Sequence, residues 1–439
     1  MSQVQDFRWL DSQEANTHWL SLLNSPTTSA ATHLKRLRSL LPANRAALLL
    51  EQYELHSLSR RKVSNPNDWF WTRQLLEQSS DEETATESAF DFPQGSIVQD
   101  ICCGAGADSI AMAKRGYRVN AYDRCGIACQ LTRRNATAHN VSIEVTEESA
   151  EAILIDPESY IHIDPDRRPE GRRTSSLEFL SPGWPIIHGL LKQSLGMSLK
   201  LAPGMRVDFN RLRSQDLLDQ TPESIRFLSK DGTVRQQRWY WGIERWPSHS
   251  ITASMSLNEP AMRRANQFSA DQITSCSRNA YSQGDWFHES FSDLEQQRAK
   301  MDRSIVQDSL RGFIADYDPS IRAAELAPPF ASRYGWHLIG LESGYLTANE
   351  PVIHPLVRWF EVIESLPLDR KQLKAFARSA KPRSWELKSR SIDVDLEAIR
   401  KSLDVDLGSE SRLAVLFTKV GEHHRAIVCQ EVNDKTVAK

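Results

Sequence analysis

Hydrophobic and polar positions follow a helical periodicity in the first part of the chain. Apolar side chains recur at three- and four-residue spacing over residues 19–23 and again over 34–50, where Pro42 interrupts the pattern. A further apolar segment spans 69–76, and the acidic, polar stretch 79–88 is typical of a linker. We therefore predict a helical segment that packs as a brace or lid against the next domain.

From residue 98 onward the rhythm changes to short apolar strands that alternate with helices. A first strand begins at Val98, a helix follows over 108–115, and a second strand spans 117–122. Further strands are predicted over 141–145, 160–163 and 197–201, followed by a hairpin of 224–229 and 233–242 around the turn pair Asp231-Gly232. Strands that alternate with helices predict a parallel sheet with helices on its faces.

A glycine turn connects the first strand to its helix. Gly104 and Gly106 lack a Cβ, so the backbone there can turn tightly and approach a ligand closely. The second strand ends at Asp123, about 20 residues further on, where an acid can accept both ribose hydroxyls. This order predicts a pocket for an adenosine-bearing cofactor at the carboxyl edge of the sheet.

The loop favours S-adenosylmethionine over a dinucleotide or an empty loop. A dinucleotide site requires a third glycine for close helix packing, and that position holds Ser109. Asp100 and Asp108 would place negative charge beside a pyrophosphate. The ammonium group of S-adenosylmethionine, in contrast, is attracted by such acids.

Residues 98–242 resemble the class I S-adenosylmethionine-dependent methyltransferase domain. The glycine motif, followed by Ile163-Asp164-Pro165-Asp166-Arg167-Arg168 and by Lys200-Leu201-Ala202-Pro203-Gly204, resembles a narrower bacterial family with a C-terminal THUMP-like domain. The similarity covers about residues 55–432 and includes Tyr317-Asp318-Pro319-Ser320-Ile321-Arg322-Ala323-Ala324, Tyr345-Leu346-Thr347, Lys388-Ser389-Arg390 and the closing segment 413–429.

This resemblance implies an α/β fold with three parts. A class I, Rossmann-like, seven-stranded methyltransferase core is joined to an N-terminal helical segment and a C-terminal α+β THUMP-like domain. We expect the boundaries to be 1–88 for the helical segment, 89–245 for the methyltransferase domain, 246–318 for a connecting region and 319–439 for the THUMP-like domain.

The resemblance also implies which residues bind the cofactor. Ser149 stands where related enzymes often have an acid that contacts the adenine, and Glu148 and Glu151 lie nearby as substitutes. The expected cofactor-binding residues are Asp100, Cys102, Gly104, Gly106, Asp108, Asp123 and Ser149.

Asp164 and Pro165 match the start of an Asp-Pro-Pro-aromatic motif that amino-methylating relatives use to bind the target amine. In this chain Asp166 replaces the second proline and Arg167 the aromatic residue, which is a departure from the motif that stacks a base. A carboxylate at the end of a strand can orient or deprotonate a nucleophile, so we predict catalytic roles for Asp164, Pro165 and Asp166.

Basic residues around this motif are candidates for substrate binding. Arg167, Arg168 and Lys200 are predicted to bind the substrate, with arginine forks suited to phosphate or carboxylate. The alternative is a surface loop whose arginines pair with Glu170, Glu178 and other acids.

Composition adds limits on partners. The chain has 439 residues, enough for two or three domains, and its net charge of −3 excludes a global positive field. Residues 371–390 are locally basic, with Phe376 and Trp385 interleaved, which favours contact with RNA phosphates and bases. A solvated helix face is the alternative interpretation.

Cysteine spacing and hydropathy complete the predictions. The six cysteines lack zinc-ligand spacing, so no metal is expected, and reduced thiols favour a cytoplasmic protein. No apolar run approaches the ~20 residues of a membrane span, so no membrane association is expected.

We therefore predict an enzyme that transfers a methyl group from S-adenosylmethionine, with RNA as the leading substrate. A small-molecule or protein methyltransferase and a non-catalytic RNA-binding protein on a methyltransferase scaffold are the alternatives. The sequence does not define the target atom, the type of RNA, the role of the N-terminal helices or the oligomeric state.

Overall fold

The computed structural model describes residues 3–26, 28–166, 177–205, 221–268, 280–340 and 343–432. The chain divides into two compact units. The first comprises Met1–Glu223 with Arg238–Trp246, and the second comprises Ser224–Gln237 with Pro247–Lys439.

In the described residues, six α-helices precede the first strand of the first unit. They are α1 Gln3–Trp9, α2 Gln13–Leu23, α3 Ala30–Arg38, α4 Ala43–Ser59, α5 Arg73–Gln78 and α6 Glu82–Ser88. Pro42 directly precedes α4, which confirms the predicted interruption. The linker predicted over 79–88 is wrong: the Asp81 carboxylate caps α6, and Glu87 within that helix is buried.

These helices share an apolar core with the domain that follows. Trp19, Leu49 and Phe70 are buried in one cluster together with Ile110 and Leu131 from further along the chain. The N-terminal segment is therefore packed as a brace, with about 25 cal/mol of stabilisation for each Å² of apolar surface removed from water.

A parallel sheet forms the centre of the first unit. Its elements are β1 Ile97–Ile101, α7 Ala107–Lys114, β2 Arg118–Asp123, α8 Gly126–Ala138, β3 Ile143–Glu147, β4 Ser159–Ile163, α9 Trp184–Leu191 and β5 Gly196–Leu201. The strand order is β3-β2-β1-β4-β5, and each of these neighbouring pairs is parallel. The carboxyl ends of these strands therefore meet at one edge.

The second unit begins with the predicted hairpin, β6 Ser224–Lys230 and the first part of β7 Thr233–Trp241. Asp231 and Gly232 both have positive φ, as a tight hairpin turn requires. The elements that follow are β8 Ser250–Ser256, α10 Glu259–Gln267, β9 Ala280–Gln283, β10 Trp286–Ser292, α11 Asp293–Met301 and β11 Val306–Gln307. The helix α11 ends at Met301, and Asp302 caps a separate short turn.

A second sheet occupies the C-terminal part of this unit. Its elements are β12 Phe313–Tyr317, α12 Pro319–Ala323, α13 Ala327–Tyr334, β13 His337–Ile339, β14 Leu346–Ala348, β15 Val357–Pro367, α14 Arg370–Ala380, β16 Ser384–Ser389, α15 Leu396–Arg400, β17 Arg412–Val420 and β18 His423–Glu431. The strand order is β11-β13-β14-β12-β15-β18-β17-β16. Gly421 has positive φ in the tight turn between β17 and β18.

Candidate functional site

The glycine loop after β1 turns through three left-handed residues. Cys102, Gly104 and Gly106 have φ values of 64°, 59° and 86°. A Cβ on Gly106 would lie 2.9 Å from Cγ2 of Thr132 in α8, so only glycine fits there without displacement. The Thr132 hydroxyl also donates to the Gly104 carbonyl at 2.9 Å, which fixes the loop on the helix.

Asp123 connects the end of β2 to this loop. One of its carboxylate oxygens accepts the Gly104 N–H at 3.0 Å and the other accepts the Cys125 N–H at 2.8 Å. Burial raises the pKa of this carboxyl above its usual value, although the two N–H groups oppose the shift. Each oxygen retains a lone pair for a further donor, as a ribose-binding acid requires.

Two other predicted cofactor-binding residues, Ser149 and Cys102, are related to Asp123 by the backbone and by charge, respectively. The Glu148 N–H donates to the Asp123 carbonyl at 3.1 Å, so the chain carries Ser149 past the end of β2. Burial, and after it the charge of Asp123, raises the pKa of the Cys102 thiol. That thiol is therefore protonated at neutral pH and is no nucleophile.

Asp100 lies beneath the loop and is only 1% exposed. One oxygen accepts a hydrogen bond from His162 Nδ1 at 2.7 Å, and the other accepts one from the Ser109 hydroxyl. Because His162 lies beside Asp100 on β4 and Ser109 lies in α7, this carboxylate joins three elements under the cofactor loop.

A buried cluster of charges, here called the lysine cluster, consists of Ser80, Asp108, Asp164, Lys200 and Arg238. Lys200 Nζ donates to Asp164 at 2.6 Å and to Ser80 Oγ at 2.8 Å, and lies 3.5 Å from Asp108. Asp108 accepts further hydrogen bonds from Ser80 at 2.8 Å and from Arg238 at 3.2 Å. Every member therefore has at least one hydrogen-bond partner within the cluster, as buried charges require.

The charges of this cluster maintain one another. Burial opposes the ammonium form of Lys200, but the carboxylates of Asp164 and Asp108 outweigh it and raise the pKa of Lys200. Burial likewise opposes ionisation of Asp108, yet Lys200 and other cations hold the pKa of that carboxyl well below its usual range.

Asp164 follows β4 at the sheet edge and is the least buried acid of the cluster. Its N–H donates to the Ile101 carbonyl at 3.3 Å, and one carboxylate oxygen is held by Lys200. In the described part of the chain the other oxygen has no hydrogen-bond partner, and the side chain is 23% exposed. Asp164 therefore has a fixed orientation and one oxygen available to a ligand.

Pro165 and Asp166 continue this edge. Pro165 is buried, and Asp166 pairs with Ser181 through two backbone hydrogen bonds of 2.9 Å. The Asp166 carboxylate accepts from Gln78 Nε2 of α5 at 3.1 Å. Arg167 and Arg168, predicted to bind substrate, lie outside the described residues, as does Glu170.

Sequence reasoning missed the polar layer behind the lysine cluster. Arg238 is fully buried, donates to Ser198 at 3.1 Å and lies 3.6 Å from Asp91. Asp91 also accepts from Tyr240 at 3.0 Å. One signal in the sequence could have indicated this layer. Ser198 and Lys200 lie within the mostly apolar run of β5, and polar residues in a strand whose six residues are all buried must have polar partners.

Sequence reasoning also missed a clamp between the N-terminal segment and the loop. The Asn135 amide of α8 donates to the Ala105 carbonyl at 2.9 Å and to the Phe70 carbonyl at 3.1 Å. Its oxygen accepts the Phe70 N–H at 2.9 Å. One fully buried side chain therefore ties the N-terminal segment to the cofactor loop.

In the second unit, the basic window divides into two parts. Lys371 and Arg378 are exposed on α14, whose Leu373 side is buried. Trp385 is buried and its Nε1 donates to the Asp404 carbonyl at 2.9 Å, so the expected stacking of a base on Trp385 is wrong.

The strand order, the glycine loop after β1, the acid ending β2 and the Asp-Pro after β4 together define the class I methyltransferase fold. The family described as THUMP domain-like matches residues 357–431. Two Mycobacterium tuberculosis proteins, from strains CDC 1551 and H37Rv, are each 22% identical over 405 residues, which is 88% of this chain and 98% of theirs. Both carry the description of uncharacterised S-adenosylmethionine-dependent methyltransferases.

A solved structure has the same fold along nearly the whole chain. It is a protein of Porphyromonas gingivalis W83 named as a candidate methyltransferase, with a TM-score of 0.70 at 16% identity. The likeness covers 95% of this chain and 99% of that one.

These comparisons confirm the predicted resemblance, fold class, enzyme class and cofactor: the chain has the class I methyltransferase fold, is similar along most of its length to proteins described as S-adenosylmethionine-dependent methyltransferases, and has a THUMP-like match in its C-terminal segment. The roles of the individual site residues and the domain boundaries stay predictions. No helix in the described ranges is long and apolar enough to cross a membrane. Within those ranges, no group of three or more His, Cys, Asp or Glu could hold a metal ion.

Proposed function

We propose that this enzyme methylates RNA at a nucleophile that binds beside Asp164. The observation that carries the proposal is the half-occupied carboxylate of Asp164, with one oxygen held 2.6 Å from Lys200 and the other available at the sheet edge. A carboxylate in this state accepts a hydrogen bond or a proton from an incoming N–H or O–H group.

The residues of the loop fit S-adenosylmethionine. We assign the glycine backbone at Gly104 and Gly106 to its methionine part, Asp123 to the ribose hydroxyls and Ser149 to the adenine side. Bound there, the cofactor supplies a methyl group that its sulfonium already activates, so proximity and orientation are the main tasks of the protein. Lys200 serves them by holding Asp164 in one orientation.

Two features of the second unit support RNA as the acceptor. The THUMP-like match covers residues 357–431, and within it α14 presents Lys371 and Arg378 to solvent. Exposed cations along one helix contribute the salt-dependent part of binding to a phosphate backbone. The five cysteines of the described ranges are unpaired, which supports our placement of the enzyme in the reducing cytoplasm.

Two measurements, made one after the other, test this proposal: binding of the methyl donor S-adenosylmethionine and methylation of RNA. Calorimetric titration with S-adenosylmethionine and its demethylated product, with NAD as control, is expected to give micromolar binding of the first pair only. Tritium from methyl-labelled donor is then expected in RNA from a strain that lacks the gene, and Asp164→Ala is expected to reduce this incorporation.

The alternatives predict different results. Label that persists in a ribonuclease-treated extract would identify a protein or small-molecule acceptor. Absence of donor binding, with RNA retained by the protein, would identify a non-catalytic scaffold.

A further inference from the structure

A second cluster of charges lies in the second unit, at the end of β12. Asp316, the residue before the last of that strand, accepts from Lys388 Nζ at 2.5 Å and from Arg390 Nη2 at 3.3 Å. Arg322 Nη2 lies 4.0 Å from the same carboxylate. Three cations therefore converge on one carboxylate.

The sheet must curl strongly to form this cluster. Lys388 belongs to β16, which is four places from β12 in the strand order. In a flat sheet these strands would lie about 19 Å apart, since each spacing is about 4.8 Å. The fold thereby unites three segments that the sequence analysis singled out, 317–324, 345–347 and 388–390.

Several donors in this cluster lack an acceptor. Among the described residues, Nε and Nη2 of Arg322 and Nε of Arg390 are buried without a hydrogen-bond partner, while the Tyr345 hydroxyl lies against the Arg390 guanidinium. The Arg322 guanidinium lies over the Tyr317 ring at 5.3 Å, which restricts its orientation. Buried donors are nearly always paired in folded proteins, so a group of unpaired ones indicates a missing acceptor.

The charge of the cluster is also incompletely balanced. Glu386 approaches Lys388 at 3.2 Å, but its two oxygens already accept from Arg358 at 2.9 Å each. With Glu431, which also pairs with Arg358, three carboxylates face the four cations Arg322, Arg358, Lys388 and Arg390, so one positive charge is left unbalanced. All three side chains are partly exposed, at 34% for Arg322, 25% for Lys388 and 27% for Arg390, so an anion from solvent can reach them.

We propose that Arg322, Lys388 and Arg390 form a phosphate-binding site, with Asp316 holding the cations in position. Guanidinium forks match the oxygens of a phosphate and bind it through paired hydrogen bonds. Resting on the function proposed above, the phosphate belongs to the RNA substrate. The site is distinct from the exposed cations of α14, because its cations converge on one point.

RNA binding to the full-length protein tests the site through its salt dependence. Arg322→Gln and Arg390→Gln are each expected to weaken binding about tenfold or more, as loss of a charge-assisted hydrogen bond implies. The slope of log K against log salt concentration reports how many phosphates the protein contacts. If one phosphate occupies the site, the slope of the double variant is reduced by only about one phosphate contact. A reduction in the double variant equal to the sum of the reductions in the two single variants, as on an open basic surface, would overturn the proposal.

Two control variants separate binding from folding. Arg378→Gln removes a cation that is 75% exposed on α14 and is expected to weaken binding by less than either site variant. Asp316→Asn keeps an acceptor oxygen that holds the three cations in position but removes the negative charge that competes with a phosphate, so it is expected to preserve or strengthen binding. Loss of binding in Asp316→Asn equal to that in Arg390→Gln would assign the cluster a purely structural role.

Probes with different phosphates identify the source and separate the two proposals. The affinities of one RNA with a 5′-phosphate and with a 5′-hydroxyl are compared for the wild type and the double variant. If the 5′-phosphate form binds the wild type more tightly and this difference disappears in the double variant, the site binds a terminal phosphate. If the double variant weakens the binding of both forms equally, the site binds an internal phosphodiester. If inorganic phosphate raises the melting temperature of the wild type but not of the double variant, while RNA does not bind, the site stands and the RNA function fails. RNA that binds wild type and double variant equally would refute the site and leave the RNA function intact.

Discussion

The clamp formed by Asn135 allows a quantitative test of how the N-terminal helices support the cofactor loop. Asn135→Ala removes three hydrogen bonds, two to Phe70 and one to Ala105, at a fully buried position. At about 1 kcal/mol of net stabilisation for each bond, the free energy of unfolding is expected to fall by about 3 kcal/mol.

The same substitution is expected to weaken donor binding about tenfold, because a loop that is less preorganised must be ordered on binding. Urea unfolding followed by tryptophan fluorescence measures the first effect. Calorimetric titration with S-adenosylmethionine at a temperature where the variant is folded measures the second.

Gln52→Ala is the matched control. Gln52 is also buried and exchanges two hydrogen bonds with the Trp71 backbone, at 2.7 and 2.8 Å, but none with the cofactor loop. Its loss is expected to cost about 2 kcal/mol of stability with donor affinity unchanged. The reasoning is refuted if both variants weaken donor binding equally, or if Asn135→Ala unfolds at the same urea concentration as the wild type.

Three further predictions concern the loop, the acceptor side and acid stability. Asp123→Ala is expected to weaken donor binding by about 1–3 kcal/mol, whereas Asp164→Ala changes the donor Kd less than about twofold and lowers kcat. Equal losses of donor affinity in calorimetry would contradict the assignment of Asp164 to the acceptor. Gly106→Ala places a side chain at a residue with left-handed φ and brings its Cβ against α8, so the free energy of unfolding is expected to fall by at least about 1–2 kcal/mol. Urea unfolding measures this loss, and an unchanged midpoint would show that the loop can relax. Although burial opposes it, the Arg358 pair lowers the pKa of Glu386 from 4.5 to about 2. The pair therefore stabilises the fold above pH 4.5 and loses this effect as the pH falls toward 2, by about 1 kcal/mol after solvent screening. Glu386→Gln should have a flatter stability profile over that range, and an unaltered profile would contradict the pairing.

Local chemistry explains why much of the first unit, and the hairpin at the start of the second unit, could be predicted from sequence. The glycines after β1 and the Asp231-Gly232 pair act on their own backbone and need no distant partner. The strands β1 to β5 likewise carry their pattern within a few residues each. These features depend only on residues close in sequence, so they can be recognised from a single sequence.

The errors arise where a distant residue decides the structure. Residues 79–88 are polar enough to read as a linker, but Glu87 of α6 is buried because Arg245 donates to it at 2.8 Å. The two residues are 158 positions apart. No pattern within either segment indicates that pairing, so the burial of Glu87 was not predictable from local composition; the one local signal for the helix is the capping residue Asp81 followed by two acids in the first turn.

The same limit applies to the candidate site. Lys200 and Asp164 were expected at the strand ends, but their orientation depends on Ser80 and Arg238, which come from remote parts of the chain. A buried lysine signals that partners must exist, because an isolated buried charge is costly. It does not tell which residues they are.

The electrostatic argument for the cofactor changes once the partners are known. Asp100 and Asp108 were expected to attract the ammonium group of the methyl donor, yet their exposure is only 1% and 12%, and their oxygens are directed at partners inside the protein. Their charges still disfavour a pyrophosphate, but direct hydrogen bonds to a cofactor require acids with a free lone pair near solvent. Asp123 and Asp164 meet that condition, one at the end of β2 and the other after β4. We therefore expect the discrimination between cofactors to rest on the field of the buried acids, and direct contact to rest on these two partly exposed ones.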